Sequence, residues 1–442
     1  MKLFEHQKKA LEETKGLNRV AYYLDMGLGK TFVGSEKMIE MMTKINLVVC
    51  QKSKVQDWID HFNEQYINIH VYDLSNKKQF QNFMDFYETA ASLKIVAVIN
   101  YDLIWRRKDL LNLQNFTLML DESSLIQNEK AKRTKFILKM NPDNIILLSG
   151  TPTSGKYENL WSQLHLLGWN ISQNTYNKQY VNWKKIDVGG FPVKIVDKDE
   201  PYKNVDRLKS KMREHGAVFM KTEECFDLPD QNFIQVHVSS TKEYRKFDKH
   251  SIITLDLETM KEFKKKDDEN CIDRTQTVEL IGDTTLTKRL YKRMLCGQYN
   301  LEKLQAFKDL VVSTKDRLIV FYNYNEEFYQ LKRIAEELER PVSEINGHTK
   351  DLDVYEHKDD SITFVQYQAG AMGLNLQKAN KIIYFTPTDK CEAWMQSLKR
   401  IHRIGQERPC FYYQMICTGS IEERIYDALE MGVDYTDDLF KE

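Results

Sequence analysis

The chain of 442 residues is about three times a typical domain of roughly 150 residues, so two or three domains are expected. Its 64 Lys and Arg stand against 65 Asp and Glu, and 42% of its residues are hydrophobic. That balance excludes a disordered chain, which needs low hydrophobicity and high net charge, and a globally basic nucleic-acid binder. Any affinity for DNA or RNA must then come from local charge.

The opening Met1-Lys2-Leu3-Phe4-Glu5-His6 lacks the apolar core of a signal peptide, and no run long enough to span a membrane follows. A soluble intracellular protein with no membrane association is expected. The seven cysteines include no C-x-x-C pair, so reduced thiols are expected rather than disulfides or a zinc site.

Residues 25–31 read Asp-Met-Gly-Leu-Gly-Lys-Thr, ahead of a helical pattern from Phe32 to Met42. A glycine-rich turn entering a helix aims backbone N–H groups and the helix dipole at phosphates. Gly27 and Gly29 shape the turn, Lys30 would reach the β- and γ-phosphates of ATP, and Thr31 would ligate Mg2+. The strict pattern wants glycine where this chain has Leu24.

Short apolar runs rich in β-branched residues follow: Asn46–Cys50, Ile95–Ile99, Phe116–Leu120 and Ile145–Leu148, then Leu318–Phe321, Ile362–Val365, Ile382–Phe385 and Phe411–Ile416. Each has the length of a strand buried on both faces, with helical patterns between. The alternation predicts parallel sheets covered by helices, in two groups. We expect two α/β lobes, over 1–240 and 241–442. Mostly helical insertions are expected at about 155–230 and 241–310, and Phe233–Val238 is read as a strand returning to the first group.

The run Phe116–Leu120 ends in Asp121-Glu122-Ser123-Ser124. A strand-end aspartate can hold magnesium, and the adjacent glutamate can orient or deprotonate an attacking water. Farther on, Arg400 and Arg403 lie at i, i+3, so on one helical face both would point at one target. Guanidinium groups there would stabilise charge on a transferring phosphoryl, an effect worth roughly 10³–10⁵ in rate. With Lys30 on the first lobe and these arginines on the second, hydrolysis would require lobe closure.

These motifs, in this order, resemble the Swi/Snf-type ATPases of helicase superfamily two. The resemblance covers nearly the whole chain and implies two RecA-like lobes that use ATP and Mg2+. Leu3–Gln7 is similar to the adenine-sensing motif, with Gln7 as the reader. Val48-Val49-Cys50 leading to Trp58 resembles motif Ia, Asn100-Tyr101 motif Ib, and Ser149-Gly150-Thr151-Pro152 motif III. Lys221-Thr222 with Leu228-Pro229 resembles the approach to the last strand of the first lobe. Leu318–Tyr322 resembles motif IV, Gly370–Leu376 motif V, and Gln396 through Gln406 motif VI. Carried over as nucleotide contacts are Gly370, Gly373 and Gln396. Two departures stand out: Ser124 replaces the family's histidine, which connects hydrolysis to motif III, and Lys399 replaces a glycine.

In the family, motifs Ia, Ib, IV and V track the sugar–phosphate backbone. Carried over, Lys52, Ser53, Lys54, Asn100, Tyr101, Tyr322, Asn323, Gly373 and Asn375 become DNA-contact candidates. Local charge agrees with a track of phosphates. Lys130, Lys132, Arg133, Lys135 and Lys139 stand against Glu129, and ten basic residues against six acidic ones between 181 and 222. Tyr176, Tyr180, Trp183 and Phe191 lie in or beside the second patch, whereas Trp58, at helical spacing with Ile59 and Phe62, is read as core.

The expectation is a monomeric ATP-dependent translocase on duplex or forked DNA, without sequence preference, in a bacterial or viral replication, recombination or repair role. It would work in the cytoplasm or on the nucleoid. The acidic, apolar-tipped tail Asp434–Phe440 would dock a replication or recombination protein. Two other readings stay open: a strand-separating DNA or RNA helicase, and an ATP-gated DNA-binding scaffold or loader.

Overall fold

The computed structural model describes residues 3–87, 94–153, 156–188, 191–197, 200–256, 277–370 and 374–432. The chain divides into two compact units, Met1–Asp227 and Leu228–Glu442.

The first unit is built on seven strands: β1 Arg19–Leu24, β2 Ile45–Cys50, β3 Ile69–Asp73, β4 Lys94–Asn100, β5 Phe116–Asp121, β6 Asn144–Ser149 and, after a two-stranded hairpin, β9 Ala217–Met220. The hairpin strands are β7 Trp183–Val188 and β8 Phe191–Val196. The sheet order is β3-β4-β2-β5-β6-β1-β9, with every pair parallel. Residues such as Leu47, Val48, Val49, Leu118, Met119 and Leu120 are fully buried, as strands covered on both faces require. Three helices bear on the site: α1 Glu5–Glu13, α2 Lys30–Glu40 and α3 Val55–Gln65. Helix α2 lies so close to β6 that a Cβ on Gly34 would come within 2.8 Å of Leu148 Cδ1.

This topology places the carboxyl ends of β5, β6 and β1 side by side. Asp121 stands opposite Leu148, and Ser149 opposite Tyr23. Clefts at such strand ends are where open α/β sheets bind ligands. On the other side of β5 lie β2 and β4, with Cys50 opposite Asn100.

The second unit carries β10 Gln231–Ser239, the hairpin β11 Ile252–Asp256 and β12 Thr277–Ile281, then β13 Leu318–Tyr322, β14 Val342–Ile345, β15 Lys350–Asp351, β16 Ile362–Gln366, β17 Lys381–Tyr384 and β18 Cys410–Thr418. Its large sheet runs β10-β18-β17-β13-β16-β14-β15 and is parallel except at β14–β15.

The strand over 233–238 does not return to the first group; β10 pairs along its whole length with β18, from Gln231↔Cys410 to Ser239↔Thr418. The division therefore falls after Asp227 rather than at 240. The insertion over 155–230 is also less helical than expected, since it contains the β7–β8 hairpin and closes with β9 as an edge strand of the first sheet. The stretch 241–310 holds a second hairpin, β11–β12. The turn at Gly189-Gly190 and the tail Asp434–Phe440 lie outside the described residues. No described helix is long and apolar enough to cross a membrane.

Candidate functional site: a phosphate loop facing an acidic pair

The loop 25–29 leaves β1 and enters α2 through Gly29, whose φ of 74° lies in the left-handed region open to glycine. A side chain there would also collide with Gln7, because a Cβ would fall 2.2 Å from Gln7 Nε2. Leu24, where the strict motif has glycine, is the fully buried last residue of β1 and is paired with Met220.

Both ends of the loop are tied down. The Asp25 carboxylate accepts from Thr222 N at 3.1 Å and Thr222 Oγ1 at 3.2 Å. The Leu28 carbonyl accepts from His6 Nε2 at 2.9 Å and Gln7 Nε2 at 3.1 Å. Gln7 is held at its other end, where Oε1 accepts from Phe4 N at 2.9 Å. Lys30 Nζ donates to the Leu24 carbonyl at 3.0 Å and lies where a Cβ on Gly150 would come within 3.2 Å. Motifs I and III thus meet at one ammonium group.

Asp121 ends β5 beside this loop. Trp58 Nε1 donates to its Oδ2 at 2.8 Å, and the Tyr101 hydroxyl donates to its backbone carbonyl at 2.9 Å. Burial pushes the Asp121 carboxyl above its ordinary range, opposed by the Trp58 hydrogen bond and the charges of Lys30 and Lys54. Glu122 sits at φ 53°, ψ 60°, a conformation that costs a non-glycine residue roughly 1–3 kcal/mol and tends to persist at functional sites. The donors Thr31 and Asp121 are hard oxygens, the chemistry Mg2+ requires, and Lys30 and the opening amides of α2 suit a polyphosphate.

Ser123 Oγ donates to Gln163 Oε1 at 2.8 Å, and Gln163 Nε2 donates to the Pro152 carbonyl at 2.8 Å. Motif II is thereby joined to motif III through a side chain that the sequence reading did not single out. Ser124 Oγ, at the departure from the family pattern, is buried with no hydrogen-bond partner among the described residues.

In the second unit Arg400 Nη1 and Arg403 Nη1 both donate to the Leu374 carbonyl, at 3.4 and 3.3 Å. The two arginines converge, but not on a helix. The helix Cys391–Leu398 stops before them, and they lie in the turn that follows. That turn is held by Gln406 Nε2, which donates to the carbonyls of Gln377, Ala379 and Ile401. Gln396 is buried, with Nε2 3.3 Å from Glu392 Oε1. Gly370 closes the helix Tyr367–Gly370, and Gly373 lies outside the described residues.

The DNA-contact candidates divide. Lys52 and Ser53 are exposed on a single 3₁₀ turn directly after β2, with Lys54 paired to Asp57 at 2.7 Å. Asn375 is exposed as well. Tyr101 and Tyr322 are 3% and 1% exposed, so their side chains are not available to DNA; Tyr101 instead holds the acidic pair. Asn100 is buried and caps the short helix after β4, and Asn323 Nδ2 donates to Thr386 and Pro387 within its own unit. Of the aromatics beside the second basic patch, Tyr176 and Tyr180 are core residues, while the Trp183 ring carries the Lys194 ammonium at 4.9 Å. The sequence pattern places an aromatic near a charge run without saying which way it faces.

Two family descriptions match the chain: the SNF2-related domain over residues 23–298 and the helicase conserved C-terminal domain over 302–405. Among curated proteins, a mouse SWI/SNF-related matrix-associated actin-dependent regulator of chromatin (subfamily A member 1) is 22% identical over 92% of this chain and 40% of its own length. An uncharacterized ATP-dependent helicase of Bacillus subtilis, YqhH, is 22% identical over 96% of this chain and 76% of its own. Among solved structures, the Sulfolobus solfataricus SWI2/SNF2 ATPase core in complex with dsDNA has a TM-score of 0.41 at 19% identity, covering 100% of this chain and 92% of that one. The chain spans less than half the length of the mouse relative and of the yeast chromatin-remodeling ATPase ISW1. With the SNF2-related match extending over more than half of its residues, the chain belongs to the SNF2-related family.

Proposed function

We propose that the protein is an ATP- and Mg2+-dependent motor that moves along double-stranded DNA without obligatory strand separation. The observation that carries this reading is the convergence of Lys30, Gly150 and Asp121 at three adjacent strand ends, in a chain of the SNF2-related family. Gln7 would read the adenine, and the loop amides with Lys30 would bind the phosphates. Thr31 and Asp121 would hold the metal, which when bound supplies charge neutralisation at the phosphate oxygens. Glu122 would orient the attacking water, and Arg400 and Arg403 would stabilise charge on the transferring phosphoryl. Lys52, Ser53 and Asn375 are the exposed candidates for gripping phosphates, which carry no sequence information. We place the motor in the cytoplasm or on the nucleoid, consistent with the bacterial source of the relative YqhH, and read it as a monomer.

The test is ATP turnover with single-stranded, duplex and forked DNA and with RNA. Duplex DNA should stimulate most, and Lys30→Ala should abolish turnover. Turnover indifferent to duplex DNA, or retained in Lys30→Ala, would overturn the proposal. Triplex displacement without unwinding of a fork separates translocation from strand separation.

A further inference from the structure

The carboxyl edge of the first sheet reads β4, β2, β5, β6, β1. The turn 52–54, exposed at Lys52 and Ser53, leaves β2, Asp121 leaves the neighbouring β5, and one side chain joins them. Trp58 sits in the first turns of α3, which begins at Val55 immediately after that turn, and its indole N–H reaches Asp121 Oδ2 at 2.8 Å.

We propose that Trp58 is a positioning residue that holds the Asp121 carboxylate for its metal and makes that hold sensitive to a DNA phosphate on the turn 52–54. The proposal rests on the motor reading above. The indole N–H is a donor only, so its one hydrogen bond fixes one carboxylate oxygen. The ring is 2% exposed, stacked on Phe62 at 5.7 Å and edge-on to His61 at 5.8 Å, so it cannot move independently of α3. Lys54 is bound to Asp57, on the first turn of the same helix, at 2.7 Å. A phosphate arriving at Lys52, Ser53 and Lys54 competes with Asp57 for the Lys54 ammonium and so disturbs the helix start that carries Trp58. Tyr101, which begins the segment after β4, pins the Asp121 backbone from the other side, so a shift of the indole changes the carboxylate's aim rather than the strand's position.

A simpler role, an indole satisfied in the core, is separated by measuring metal binding directly. The full chain with ADP is titrated with Mn2+ in place of Mg2+, and free Mn2+ is counted by electron paramagnetic resonance, with and without short duplex DNA. Trp58→Phe keeps the stacked ring. Replacement of Trp58 by benzothienylalanine keeps shape and size and exchanges only the N–H for sulfur. Both should weaken Mn2+ binding by about 10–100-fold, the usual effect of losing a hydrogen bond behind a metal ligand. ADP affinity without metal should be unchanged, and the response of Mn2+ affinity to duplex DNA should disappear. Unchanged Mn2+ affinity in the benzothienylalanine protein overturns the inference and leaves the motor reading standing. Wild-type ATP turnover indifferent to duplex DNA sinks the motor reading, and the relay with it, whatever the variants do.

Discussion

Ser123 gives its hydroxyl hydrogen to Gln163 Oε1 across 2.8 Å, with both side chains fully buried. Tyr23 donates to the same oxygen at 3.1 Å, and the amide of Gln163 passes on to the Pro152 carbonyl. The histidine that joins motifs II and III in related motors is Ser124 here, yet the two motifs remain joined through its neighbour. The serine at position 124 thus does not sever the two motifs in this chain, which weighs against a vestigial ATPase.

Gln163→Leu should therefore affect both stability and turnover. It strands two buried hydroxyls, Ser123 and Tyr23, while the Pro152 carbonyl keeps Gln127 at 3.1 Å. Unsatisfied buried groups of this kind cost about 1–3 kcal/mol each. Misplacement of the acidic pair should lower single-turnover ATP hydrolysis by about ten- to a hundredfold, with nucleotide affinity little changed. Urea unfolding and a rapid-quench assay read the two effects separately, and wild-type turnover in the variant would show that the bridge is only structural.

What the sequence made legible follows from what periodicity encodes. Runs such as Asn46–Cys50 and Phe116–Leu120 indicate buried parallel strands because all but one residue in each, Asn46 and Thr117, are apolar, so neither face alternates with a polar one. The same signal does not name a neighbour, so it cannot show that β10 pairs with β18 rather than with the first sheet. The apolar β9, Ala217–Met220, lies inside a span whose pattern reads as a helical insertion, and nothing local names β1 as its neighbour. Spacing with Ile59 and Phe62 marks Trp58 as buried, but its hydrogen bond spans 63 residues of chain and leaves no local trace. Arg400 and Arg403 both reach the Leu374 carbonyl from a turn held by Gln406, not from the helical face that their i, i+3 spacing suggests, because the spacing alone cannot distinguish the two.

In the second unit Lys303 and Glu422 form a buried ion pair, with Nζ 2.6 and 2.7 Å from the two carboxylate oxygens and side chains 0% and 1% exposed. Burial pulls Lys303 towards its neutral form, but the Glu422 charge overrides this and holds its pKa above the ordinary lysine value. Stability linked to a raised lysine pKa is fully present below the unfolded value of about 10.4 and lost only above it, so pH between 5 and 9 should not move this contribution. Lys303→Met alone should cost about 3–5 kcal/mol, and Lys303→Met with Glu422→Leu should recover most of it. Denaturant unfolding of the three proteins decides; a double variant as unstable as the single one would refute the assignment.

Asp316 gives the opposite sign. Its hydrogen bond to Lys381 is the main force holding its pKa below the ordinary aspartate value. Stability from a depressed carboxylate pKa is present above the unfolded value of about 3.9 and disappears as pH falls through the folded-state value. The carboxylate is 44% exposed, so the effect is small and salt-sensitive. Thermal unfolding from neutral pH down to about pH 2 should fall less steeply in Asp316→Asn than in the wild type, and the difference should shrink at high salt.

Gln7 offers the most direct test of nucleotide choice. Its amide is held at both ends, accepting from Phe4 N and donating to the Leu28 carbonyl, so its orientation is fixed before any ligand arrives. Phe4 is 54% exposed beside it, with its ring stacked on His6 at 5.9 Å and edge-on to Phe226 at 6.0 Å. An amide of fixed orientation next to an open aromatic face can distinguish adenine, which presents a donor and an acceptor on one edge, from guanine, which reverses them. Gln7→Ala removes the amide and leaves the Leu28 carbonyl held by His6 Nε2 alone, with the phosphate loop otherwise intact. The KM for ATP should rise about tenfold and that for GTP much less, the asymmetry expected when a site loses the polar group that reads its substrate. Equal losses for both nucleotides would mean that Gln7 supports the loop and does not read the base.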